Sequence, residues 1–167
     1  MALIASIFFG FVPMFLFAIF VYWLDRYEKE PRILLGAAFF WGMVIAAGGA
    51  FIINTAFGVG IYLFTGSEGA AEVGTTSIVA PVVEEFLKGL VVAIVFFTFY
   101  AEFDSILDGI IYGGFVGLGC AATENTIYIY RNGYLDSGWE GLFLLVFIRV
   151  FLVGWMHAFF TAFTGIG

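Results

Sequence analysis

No water-soluble architecture accommodates this chain's succession of apolar runs. Five stretches each reach or exceed the roughly 20 residues that an α-helix needs to cross a bilayer core: Leu3 to Leu24, Ile33 to Asn54 with an apolar extension to Phe64, Ser77 to Tyr100, Ile106 to Tyr130, and Gly141 to Gly167. The connections, Asp25 to Arg32, Thr65 to Thr76, Ala101 to Ser105 and Arg131 to Glu140, are short and rich in charge or in Gly, Ser, Thr and Asn. No soluble domain fits between them, so residues 1–167 read as one all-α domain, a polytopic membrane helix bundle of about five transmembrane helices. The first run has no basic leader and no small-residue cleavage site, and reads as a retained span.

Composition agrees, with 63% hydrophobic residues, 11% charged residues and a mean hydropathy of +1.08. The net charge of -7 excludes nucleic acid as a partner and leaves little grip on anionic lipid headgroups. One cysteine gives no disulfide framework and no thiolate zinc site, and Cys120 reads as a gap filler between helices. Three of the six basic residues, Arg26, Lys29 and Arg32, lie in the first connection, which the positive-inside rule places in the cytoplasm with the N-terminus outside. An odd number of spans closing on ThrGlyIleGly reads as a C-terminally truncated chain. No internal repeat supports an inverted-repeat transporter.

The informative residues are those that do not belong in hydrocarbon: Glu84, Glu85, Lys88, Asp108, Glu124, Arg149 and His157. An Asp, Lys or Arg at a span centre costs about 2.5 to 3.5 kcal/mol, so six uncompensated charges would cost roughly 15 to 20 kcal/mol. That equals or exceeds a typical folding stability of about 5 to 15 kcal/mol. The groups must therefore face one another, a cation or a water-filled cavity.

Lys88 follows Glu84 by four residues and Glu85 by three, so on a helix either carboxylate reaches it, and one Glu is left to titrate as a general acid or base. Pro81 marks the start of that helix or a kink in it. In the fourth span Gly109, Gly113, Gly117 and Ala121 form a four-residue stripe, which reads as packing machinery. Asp108 and Glu124 are about 24 Å apart along that helix and cannot share a site. Glu124, with Asn125 beside it, is the better site candidate, and Asp108 suits capping or a gating contact. Arg149 and His157, about 12 Å apart along the last span, need not touch the same group, and a helix starting at Gly141 puts His157 about 12 Å below the glutamates unless the helix starts later.

Four carboxylates against Lys88 and Arg149 leave two negative charges for protons or a divalent cation to balance. In a metal version Zn2+ is held by Glu85, Glu124 and His157 and activates water. In a metal-free version Glu84 or Glu85 is the base and His157 or Asn125 stabilises the oxyanion. Both versions are hydrolytic. An ion or proton-coupled transporter and a non-catalytic scaffold are the alternatives.

A resemblance enters on an ordered set of motifs. TyrTrpLeuAspArgTyrGluLysGluPro at 22–31, Glu84-Glu85-x-x-Lys88, AspGlyIleIleTyrGlyGly from Asp108, GlyLeuGlyCysAlaAlaThrGluAsn ending at Asn125, and His157 together resemble the PrsW family of intramembrane proteases, which looks related to the CAAX-protease and bacteriocin-processing membrane proteases. The resemblance implies a multi-pass protein of a prokaryotic cell membrane that cleaves a membrane-anchored substrate, such as an anti-sigma factor, with Glu84, Glu85, Glu124 and His157 as the matching catalytic positions. Lys88, Asn125, Arg149 and Asp108 would then be supporting residues.

Overall fold

The computed structural model describes residues 1–25 and 29–166. Arg26, on which the orientation argument partly rests, and Tyr27 and Glu28 of the 22–31 motif lie outside the described residues. The described chain is helical throughout, in the order α1 Ala2–Leu24, α2 Arg32–Phe40, α3 Ala47–Thr65, α4 Glu68–Gly74, α5 Ala80–Thr98, α6 Ile106–Tyr128, α7 Leu135–Val146 and α8 Met156–Ile166. Four π-helical turns join consecutive elements: Trp41–Ala46, Thr75–Val79, Ile129–Tyr134 and Phe147–Leu152.

Three helical runs are long and apolar enough to cross a membrane, Ala2–Leu24, Arg32–Thr65 and Ile106–Ile166, against the five expected. The difference has two physical sources. Glu84, Glu85 and Lys88 within α5 make that helix too charged to count by composition. The expected fourth and fifth spans are merged in one run of 61 residues. At the 1.5 Å rise that run would extend about 90 Å if straight, three times a bilayer core. It is not straight: Ser137 leaves helical geometry and Gly138 takes φ +64°, and α8 packs back on α6.

Packing inverts the pattern of a soluble bundle. On α1 the buried stripe is Ala2, Ser6, Gly10, Met14 and Ala18, one residue every four, while Phe8, Phe15, Leu16 and Phe20 point outward. Small residues face inward and large apolar ones face lipid, because lipid offers no hydrophobic penalty and close backbone approach supplies the attraction.

α6 is the centre, with nearly every residue from Asp108 to Ala122 buried. Its small-residue stripe does what the sequence implied. A Cβ at Gly109 would strike the carbonyl of Gly165, one at Gly113 that of Thr161, and one at Gly117 that of His157. Each step of four up α6 meets a step of four down α8, so the two helices are antiparallel with backbones in contact. Gly119 meets Phe39, and Gly42 meets the carbonyl of Val116, on a second face.

The start of α6 is tied to the α1–α2 connection. Ser105 and Asp108 form a reciprocal capping box, and the Asp108 carboxylate also accepts the Asp104 N–H at 3.0 Å, so capping is the role of Asp108. Tyr112, one turn on, donates to Glu30 Oε2 at 2.6 Å, and the Glu30 N–H donates to Asp25 Oδ2 at 3.0 Å. Lys29 sits 3.9 Å over the Tyr22 ring, whose hydroxyl accepts from Arg32 Nε at 3.0 Å. Part of the 22–31 motif is thus a clasp between three helices.

Glu30 is only 5% exposed, and its burial, with Asp108 and Asp25 nearby, pushes its carboxyl up to about 7. A carboxyl raised in the folded state stabilises the fold fully below about pH 4.5, its ordinary value, and loses that contribution as pH rises through about 7. The melting temperature of the wild-type protein should therefore fall relative to Glu30→Gln between pH 5 and 8, as read from parallel thermal melts; parallel curves would remove this linkage. Gly113→Val should destabilise by at least about 1 to 3 kcal/mol, since the added carbons meet backbone rather than a movable side chain, and thermal unfolding in detergent tests it.

Candidate functional site

Lys88 is 1% exposed, and its ammonium group organises the polar interior. A buried ammonium needs acceptors on every side, and this one finds three: Glu85 Oε1 at 2.9 Å, His157 Nδ1 at 3.3 Å and Glu84 Oε2 at 3.7 Å. The helical spacing Glu84-Glu85-x-x-Lys88 supplies two, and α8 brings the third. An ammonium only donates, so Nδ1 of His157 is the acceptor and Nε2 carries the proton. That proton points at Glu124 Oε2, 3.2 Å away.

Glu124 is the second hub. Besides His157, its carboxylate meets Arg149 Nη2 at 3.6 Å and accepts from the Cys120 thiol at 3.3 Å. Arg149 also donates from Nε to Asn125 Oδ1 at 3.0 Å and lies 4.0 Å over the Tyr128 ring. Glu85 has a further partner in Thr161, whose hydroxyl is 3.5 Å from Oε2.

Glu84, Glu85, Lys88, Glu124, Asn125, Arg149 and His157 are therefore gathered into one network, and Asp108 is not. Its absence changes the charge arithmetic: three carboxylates against two cations leave one negative charge, not two. Arg149 and His157 meet on the same carboxylate, contrary to their expected separation along a regular helix. The chain is π-helical through Phe147–Leu152 and breaks at Val153–Trp155, and α8 restarts at Met156, so distances along one continuous helix do not apply. The same break removes the 12 Å depth mismatch. Irregular backbone at this depth is tolerated where protein or a cavity covers it.

The other π-helical turns also border the site. Trp41–Ala46 brings Trp41 Nε1 to the Leu87 carbonyl at 3.0 Å and the Met43 carbonyl to the Thr123 hydroxyl at 2.8 Å. Thr75–Val79 leads into Pro81 and the glutamate pair within one continuous helical run, so the π-helical turn stands just before the position where the N–H is missing.

Cys120, read from the sequence as a gap filler between helices, stands beside this network. It lies one turn before Glu124 on the same face of α6, and that spacing was the available signal. Cys120, Glu124 and His157 offer ligand atoms within 4.8 Å of one another, whereas Glu85, the expected third ligand, is paired with Lys88. A thiol, an imidazole and a carboxylate make a zinc-type donor set that leaves a position for water, and these three residues fit a metal ion once the protons on Cys120 Sγ and His157 Nε2, both directed at Glu124, give way to it.

The two adjacent glutamates face different spaces. Glu84, with Glu124, lines a polar groove of about 700 Å³ walled by α3, α4 and the turns Thr75–Val79 and Ile129–Tyr134. Glu85 lines a crevice of about 780 Å³ between α5 and α8 with walls that include Phe86, Leu90 and Phe97. Lys88 is buried but the Glu85 side chain is 38% exposed, so Lys88→Met, which leaves a half-solvated carboxylate without its partner, should destabilise by about 1 to 3 kcal/mol, and the loss should shrink when Glu85→Gln is present as well. A double-mutant cycle of denaturation free energies measures this.

Residues 30–167 match the profile described as PrsW family intramembrane metalloprotease. The chain is 32% identical over 125 residues to Protease PrsW of Geobacillus kaustophilus, covering 74% of this chain and 52% of that protein. It is 29% identical over 124 residues to Protease PrsW of Bacillus subtilis, covering 74% and 53% respectively. With Protease PrsW of Clostridioides difficile the identity is 33% over 125 residues, covering 71% and 50%. The chain thus spans about half the length of the curated relatives it matches. No solved structure matches it.

Proposed function

This chain belongs to the PrsW family of intramembrane metalloproteases, and from that premise we propose that its polar interior hydrolyses a peptide bond of a membrane-anchored protein, a regulatory one of the anti-sigma-factor kind. The observation that carries the reading is that Glu84 and Glu124 line one groove, with His157 against Glu124 at 3.2 Å.

Each residue has a role that its contacts suit. Glu85 is held at 2.9 Å by Lys88 and is committed to that pair, while Glu84, at 3.7 Å, keeps a looser hold and opens on the groove. Glu84 is therefore the general base that takes a proton from water, and Lys88 keeps its carboxylate oriented. Arg149 and the Nε2–H of His157 sit against Glu124 and fix it, and Asn125 holds Arg149 in turn. Cys120, Glu124 and His157 would hold a divalent metal ion such as zinc, which would stand in place of the Nε2 proton of His157 and the thiol proton of Cys120. A bound metal would polarise a carbonyl and lower the pKa of a coordinated water.

The same reading takes α5 as a crossing and Ile106–Ile166 as two, giving five crossings in all, with the N-terminus outside. Lys29 and Arg32 at the α1–α2 connection support that orientation.

Proteolysis in liposomes on a panel of single-span membrane proteins tests the proposal, with products identified by mass spectrometry. Wild type should cleave and Glu84→Gln should lose at least about 100-fold, the usual range for a general base. Undiminished cleavage by Glu84→Gln would exclude this assignment of the base. Bound zinc, counted by elemental analysis, should fall from about one per chain in both Cys120→Ala and His157→Ala. Zinc retained in Cys120→Ala would return the third ligand to a glutamate.

A further inference from the structure

Buried polar atoms without partners are uncommon in a folded protein, and each needs a reason. Among the described residues three buried side-chain atoms have no hydrogen-bond partner: Asn54 Oδ1, Thr75 Oγ1 and Asn125 Nδ2. They are not scattered. Asn54 and Thr75 line the polar groove that ends at Glu84 and Glu124, and Asn125 is next in sequence to Glu124.

Thr75 is conspicuous beside its neighbours. The hydroxyls of Thr55, Thr65 and Thr76 each donate to the carbonyl four residues earlier, at 2.7, 2.8 and 2.8 Å. Thr75, in a π-helical turn, makes no such bond; its hydroxyl lies over the bare Cα of Gly58, where a Cβ would be 3.1 Å away. Asn54 stands on the facing wall, in α3. Arg131 and Glu72 also line the groove.

A substrate crossing the membrane as a helix satisfies its own backbone, and hydrolysis requires a few residues of it to be extended. Their freed N–H groups then need acceptors, at a cost of several kcal/mol each in a dry environment. We infer that the polar groove is the seat of the unwound stretch of a polypeptide substrate, with the side-chain oxygens of Asn54 and Thr75 accepting hydrogen bonds from its backbone. The inference rests on the proteolytic reading above and deepens it. The groove's volume, about 700 Å³, is of the size that holds ligands, and its mixed lining suits a backbone better than an apolar side chain. Both oxygens are covered in this structure, so accepting from a substrate requires a change of rotamer, χ1 at Thr75 and χ2 at Asn54. Recognition of this kind reads main chain, so it selects segments that unwind easily over segments of one sequence.

The test measures binding apart from cleavage. Fluorescein-labelled casein, a disordered polypeptide, is titrated onto the full chain in detergent, with Glu84→Gln present to stop turnover and fluorescence polarisation as the readout. Saturable binding is expected, weakened about five- to tenfold by Asn54→Leu and by Thr75→Val, as for loss of one hydrogen bond each, and retained by Thr75→Ser. Thermal melts check that the variants fold. Absence of binding to the parent, equal affinity in all variants, or a loss in Thr75→Ser matching that in Thr75→Val would each overturn the inference. Casein held through Asn54 and Thr75 by a protein that cleaves no membrane substrate would instead leave the groove's role standing and remove the proteolytic reading.

Discussion

A single ammonium group sets the terms for the rest of the interior. Lys88 lies where water does not reach, and an unpaired charge there would cost more than the fold can spare. Two glutamates from its own helix and a histidine from α8 surround it, and the histidine in turn holds Glu124. The tautomer of His157, the position of Glu124 and the placement of Arg149 all follow from that starting point. One charge sets the orientation of five side chains, on three helices and one π-helical turn.

Helical regularity is given up wherever it would conflict with that arrangement. Wide turns are rare in proteins and concentrate at functional sites, and here all four border the polar interior. The break at Val153–Trp155 lies between Arg149 and His157, which meet on one carboxylate. Outward-facing surfaces need no such adjustment and are filled with phenylalanine and aliphatic side chains at regular spacing.

Much of this was legible in the residues. The cost of charge in hydrocarbon pointed to Glu84, Glu85, Lys88, Glu124, Arg149 and His157 as mutual partners, and they are. The glycine stripe and the capping place of Asp108 could also be read, since both are local consequences of spacing. What failed was geometry beyond one regular helix. Depth calculated at 1.5 Å per residue left His157 dependent on where its helix starts, and the later start, at Met156, could not be read because breaks and π-helical turns leave weak traces in composition. Counting cysteines left Cys120 as a gap filler and gave no view of its place beside Glu124 and His157. The clasp of Glu30 and Tyr112 joins residues far apart in the chain, and nothing in their spacing announces it.

The antiparallel contact of α6 and α8 carries one more consequence. Because backbone rests on backbone at Gly109, Gly113 and Gly117, the pair meshes like a rack with teeth four residues apart. It can sit in one notch or the next, but not between. A slip of one notch, about 6 Å by the helical rise, would set Thr161 where His157 belongs and leave Lys88 facing a hydroxyl instead of an imidazole. Assembly of the polar interior is thus all or nothing, and the glycines, which carry no chemistry, act as its alignment marks.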